Sequence, residues 1–157
     1  MPNVYPFKYS KLELLQEIEH LYNQNKGNFL FHEIMFLIFS LNHLREWHCP
    51  ENDHLIGKNK TEPITAAEVF FCKIYESEEF RMINKVCNGF KHVNKCPDSN
   101  IKTKTLDEWG DMDGVRDFDL GEKPVYIVER ENGDKENLEN AIGNLIATYK
   151  KEFGTDH

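Results

Sequence analysis

Apolar positions along most of this chain recur every three or four residues, the period of an α-helix. Leu14, Leu15, Ile18, Leu21 and Tyr22 carry the first such run, behind a Ser10-Lys11-Leu12-Glu13 capping box, and Gly27 ends it. The second run is broader. Leu30, Ile34, Leu37, Ile38, Leu41 and Leu44 share a face, and Phe29, Phe31, Phe36, Phe39 and Trp47 carry apolar surface almost all round, which predicts a central or interface helix. Pro50 stops it. After a polar loop over 51–62, Thr65-Ala66-Ala67-Glu68 forms a second capping box. Ser77 then either caps a fourth helix or marks a bend in the third.

Beyond residue 100 the period changes. Residues 100–112 read as loop with Trp109 as an apolar anchor. Val115, Phe118 and Leu120 predict one strand and Pro124 to Arg130 a second, with Gly121-Glu122-Lys123 turning between them. Leu138, Ala141, Ile142, Leu145, Ile146, Tyr149 and Phe153 return to helical spacing. The expected elements are helices over about 10–26, 28–48, 65–76, 78–93 and 135–153, with a hairpin over about 114–130. That order predicts a mainly α, up-and-down helical bundle with a small β-hairpin inserted before the C-terminal helix, residues 1–157 forming a single domain.

Composition narrows the class. At 157 residues a core forms without disulfides or metal, and 39% hydrophobic content supplies it. The balance of 19 basic against 27 acidic residues, −8 overall, argues against a general nucleic-acid coat and leaves room only for a local basic groove. The chain opens MPNVYPFKYS, without a charged-then-apolar leader, and its longest apolar stretch is broken by His32, Glu33 and Asn42. These features predict no membrane partner, a cytoplasmic location and reduced cysteines. No P-loop, GxGxxG, GxSxG or HExxH occurs, so no cofactor is expected. His48-Cys49 with His54, and Cys87 with His92 and Cys96, match no zinc-ligand spacing, so no metal is expected either.

Two polar stripes are the candidates for chemistry. On the second helix His32, Phe36, Phe39, His43 and Glu46 share a side, and His43 and Glu46 are spaced to hydrogen-bond. On the fourth, Arg81, Lys85, Asn88 and His92 line up at steps of four, three and four, joined by Lys91. His92 titrates near neutrality and suits acid–base or phosphate-binding work. The Asn88-Gly89 pair weakens the helix and fits a place where another backbone comes close. The expected binding residues are therefore Arg81, Lys85, Asn88, Lys91 and His92, facing His43 and Glu46 across a shared crevice. Both stripes are equally compatible with solvated helix faces.

The segments Leu41-Asn42-His43-Leu44-Arg45-Glu46-Trp47 and Val86-Cys87-Asn88-Gly89-Phe90-Lys91-His92 resemble a group of small bacterial and phage helical proteins similar to the HEPN (higher eukaryotes and prokaryotes nucleotide-binding) superfamily. In that group a helix ending in L-x-x-W precedes one ending in N-x-x-K-H, followed by a hairpin and a last helix. The resemblance implies an antiparallel bundle, frequent homodimers and, in some members, metal-independent RNA cleavage through an Arg-x4–6-His motif. This chain departs from that motif, because Arg81 and His92 are eleven residues apart and Arg45 and His48 three.

Three functions follow in order. The first is a non-catalytic HEPN-like binding module for a nucleotide, RNA or protein. The second is a homodimeric interaction protein anchored by Phe29, Phe31, Phe36 and Phe39. The third is a toxin or antiphage endoribonuclease, with His92 as acid or base and Arg81 or Lys91 stabilising phosphorane charge.

Overall fold

The computed structural model describes residues 9–91, 101–105, 126–130 and 134–155. Helix α1 (Lys11–Asn25) starts at its capping box: the Glu13 N–H donates to Ser10 Oγ at 3.1 Å and the Ser10 N–H to the Glu13 carboxylate at 2.7 Å. Helix α2 (Phe31–His48) begins three residues later than its periodicity predicts. Gly27 adopts φ +76°, Leu30 is extended, and the Phe29 ring between them lies in the core, stacked 5.8 Å from Tyr22. The Leu30 N–H then donates to the Glu33 carboxylate at 2.7 Å. Phe29 and Leu30 therefore lie outside the helix, and Leu30 is exposed rather than on the buried face.

Helix α3 (Ala66–Lys73) opens at the Thr65–Glu68 capping box and runs into a 3-10 turn, Ile74–Glu76. Backbone N–H groups of Thr65 and Ile64, and then His54, hold the Glu68 carboxyl below the usual carboxylate range. Ser77 takes extended geometry (ψ 132°) and its Oγ accepts from the Phe80 N–H at 3.1 Å. Helix α4 (Glu78–Lys91) is thus separate from α3. Three short strands, β1 (Ile101–Thr105), β2 (Tyr126–Arg130) and β3 (Lys135–Asn137), form an antiparallel sheet in that order. Thr103 lies opposite Val128, and Val128 opposite Glu136. Helix α5 (Leu138–Phe153) follows, capped by the Asn137 side chain and ended by Gly154 at φ +69°.

The small antiparallel β-element expected before the last helix is present, with other bounds than the periodicity predicts. Its first predicted strand, Val115 to Leu120, lies outside the described residues. Strand β2 falls where the alternation of 124–130 places it, but its partners are β1, in the expected loop, and β3, in the expected first turn of the last helix. Neither partner has alternating apolar residues (IKTKT and KEN), so only pairing to β2 reveals them. Tyr126 and Val128 turn their side chains to the core.

Helices α1, α2, α4 and α5 pack in a ring, each against the next. Lys11 reaches His48, Glu19 reaches Lys150 and the Gly27 N–H reaches Glu139, so α1 runs antiparallel to α2 and α5. Asn42 meets Asn84 while Arg45 lies over Phe80, which makes α2 and α4 antiparallel too. The bundle is up-down-up-down around Ile18, Leu37, Leu41, Phe80, Ile83, Ile142 and Tyr149, all buried. Each such side chain contributes roughly 1.5–3 kcal/mol on removal from water. α3 lies outside the ring, its Phe70 edge-on to Tyr149 at 5.6 Å and Phe71 in a small second cluster with Cys49 and Leu55. No helix of the described residues is long and apolar enough to cross a membrane.

Candidate functional site

The seam between α2 and α4 is polar at its centre. Asn42 is a buried polar residue in an otherwise apolar face, 5% exposed. Its Oδ1 accepts from Asn84 Nδ2 at 2.8 Å; Asn84 Oδ1 accepts from Asn88 Nδ2 at 3.2 Å and from the Tyr75 hydroxyl at 3.4 Å. A buried amide without a partner is costly, so the pair fixes how α2 sits along α4. Asn42 and Asn84 are absent from the sequence-predicted set. The available signal was an amide among Ile38, Leu41 and Leu44, at helical spacing within a core stripe.

This seam settles where the two stripes lie. Viewed from each helix's N-terminus at about 100° per residue, His43 and Glu46 lie clockwise of Asn42. Arg81, Lys85 and Asn88 lie clockwise of Asn84. Because the helices are antiparallel, both clockwise flanks are on one side of the seam, the side away from the buried Ile83, Cys87 and Leu41. Arg81 and Lys85 are exposed and Asn88 is half-buried. His43 Nδ1 is 3.1 Å from Glu46 Oε2, both half-exposed. Phe36 is exposed on the same flank and Phe39 partly buried. Lys91 is the last residue of α4, and His92 lies outside the described residues.

A second cluster lies where the C-terminal end of α2 meets α1 and α5. His48 is 9% exposed; its Nδ1 accepts from the Lys11 ammonium at 2.8 Å and its Nε2 meets Glu152 Oε1 at 3.0 Å. Both ring nitrogens are engaged, and Phe70 and Phe153 pack on the imidazole. His48 therefore ties α1, α2 and α5 together rather than offering a free base. Glu152 also borders an open cavity of about 850 Å³ between α3 and α5, floored by Val69, Phe70 and Ile74. None of the sequence-predicted site residues lines it.

No family model matches the chain, and no curated protein or solved structure matches it.

The metal question rests on the same geometry. Among the described residues no three His, Cys, Asp or Glu side chains converge to hold an ion. Burial, then Glu68, pushes the Cys49 thiol up, away from the thiolate a metal needs. Cys87 is fully buried in the bundle core, and Cys96 lies outside the described residues.

Proposed function

We propose that this protein is a non-catalytic, HEPN-like binding module for a nucleotide or single-stranded RNA, using the outer face of α2 and α4. The observation that supports this reading is the Asn42–Asn84 seam, since Arg81, Lys85 and Asn88 of α4 and His43 and Glu46 of α2 fall on one flank of it. Cations at that spacing suit phosphates, and the exposed Phe36 ring suits a stacked base. An up-down-up-down bundle with a sheet ahead of its last helix is compatible with the family layout. Arg81 stands eleven residues from His92, outside the spacing of the cleaving members, so binding without cleavage is the reading preferred over an endoribonuclease.

Fluorescence anisotropy with a labelled single-stranded RNA checks this. Binding is expected to weaken with salt, and Arg81→Ala with Lys85→Ala is expected to lower affinity by about tenfold or more, roughly 1.4 kcal/mol, and to flatten the salt dependence. The RNA stays intact without added metal. Equal affinity of the double variant and the wild type defeats the reading.

A second reading, a homodimer through α2, draws on Phe36 and Trp47. They stand eleven residues, about three turns, apart and are both exposed. Of the expected anchors, Phe29 is buried in its own core and Phe39 packs against it, which leaves Phe31 and Phe36 outward. Light scattering on the anisotropy samples separates a dimer from a monomer.

A further inference from the structure

Arg45 of α2 carries a cation packed among aromatic rings, with no anion paired to it among the described residues. Its guanidinium carbon is 4.5 Å from the Phe71 ring centroid, 4.9 Å from Phe80 and 5.2 Å from Tyr75. These rings come from α3, α4 and the turn between them. Phe71 and Phe80 are buried, so they cannot swing away, while Tyr75 is half-exposed. Among the described residues no carboxylate pairs with Arg45. The adjacent Glu46 is turned to His43. Nε is buried and has no acceptor. The Nη atoms are not among the buried atoms that lack a partner, and Arg45 as a whole is only half-buried.

Ring faces satisfy the flat surfaces of a guanidinium but none of its in-plane N–H groups. Those donors form a fork that matches two oxygens of a carboxylate or phosphate. Stacking has already removed the side-chain freedom that an anion would otherwise have to restrict. We propose that the Nη edge of Arg45 is a receptor for an oxyanion, the carboxylate or phosphate group of a small ligand. The site is separate from the Arg81–Lys85 face, because Arg45 lies counterclockwise of Asn42, on the flank opposite His43 and Glu46.

Nitrogen-15 NMR of the arginine Nε–H groups tests this directly, because a buried Nε–H exchanges slowly and Arg45→Lys identifies its peak by loss. Sodium phosphate and sodium acetate are titrated separately against sodium chloride at constant ionic strength. The Arg45 peak is expected to move saturably with one or both oxyanions and not with chloride; a response to phosphate alone or acetate alone assigns the class. The wild-type melting temperature is expected to rise along the same curve. That rise is lost in Arg45→Lys and kept in Arg81→Ala/Lys85→Ala. A peak that stays still, or drifts linearly with all three salts, overturns the proposal, as does an undiminished thermal response in Arg45→Lys. If Arg45→Lys fails to fold, the saturable wild-type shift decides alone. RNA binding through Arg81 and Lys85 stands or falls independently.

Discussion

Gly143 and Gly89 both sit inside helices, but their surroundings differ. The weak Asn88-Gly89 pair fits a close backbone approach, yet among the described residues a Cβ on Gly89 meets nothing within 4 Å. Gly143 is the crowded one. A Cβ there presses into the Tyr22 phenol, with Cζ 3.0 Å away, and Tyr22 is held by its stack on Phe29. Alanine gains about 1 kcal/mol of helix propensity at either position. At Gly143 overpacking of about 1–3 kcal/mol outweighs it. Gly143→Ala is therefore expected to lower stability in urea melts by about 1 kcal/mol, and Gly89→Ala to raise it by about 0.5–1 kcal/mol. Equal effects at the two sites would falsify this account of the Tyr22 contact.

At the scale of elements, the packing of α2 on α4 turns on one side-chain bond. Asn42 is buried and Asn84 half-buried, so deleting either amide strands part of the other. Asn42→Ala and Asn84→Ala are expected to be non-additive, with a coupling of about 1 kcal/mol in a double-mutant cycle. Additivity within ~0.3 kcal/mol shows that the amides do not act together. The capping boxes at Ser10 and Thr65 are readable from four residues each, because a cap uses only neighbours in the chain. The Ser77 break is half-readable: its hydroxyl announces a cap, but the extended backbone there also depends on Phe80 and Ile74 reaching the core. Strand β1 was not readable because its partner lies far along the chain, and β3 because its three residues, KEN, carry no apolar alternation.

Across the whole molecule, Tyr149 joins the diagonal helices. Its ring is fully buried and its hydroxyl donates to the Leu41 carbonyl at 3.0 Å. Burial pushes its phenol well above the ordinary tyrosine range, against opposing contributions from Arg45. The folded pKa is raised, so the stabilisation is complete below about pH 10, the unfolded value, and is lost as pH rises beyond it. Of six tyrosines, Tyr149 is expected to ionise only as the chain unfolds in alkali, visible as late phenolate absorbance that coincides with loss of helical circular dichroism. Tyr149→Phe is expected to remove that late step and to cost about 1 kcal/mol at neutral pH. If the late step persists in Tyr149→Phe, another buried phenol, such as Tyr22, is responsible.

The linear pattern of residues determined the helices, their caps and their order, because periodicity and capping act over one or two turns. It also placed the two polar stripes on α2 and α4, since spacing along one helix defines a face. Whether those faces share a side was decided by tertiary structure alone, through the antiparallel packing that joins Asn42 to Asn84. The rings around Arg45 and the Lys11–His48–Glu152 chain were decided there too. Their members come from three elements each, and no local rule of sequence relates residues that only the closed core brings within hydrogen-bond or ring-contact distance.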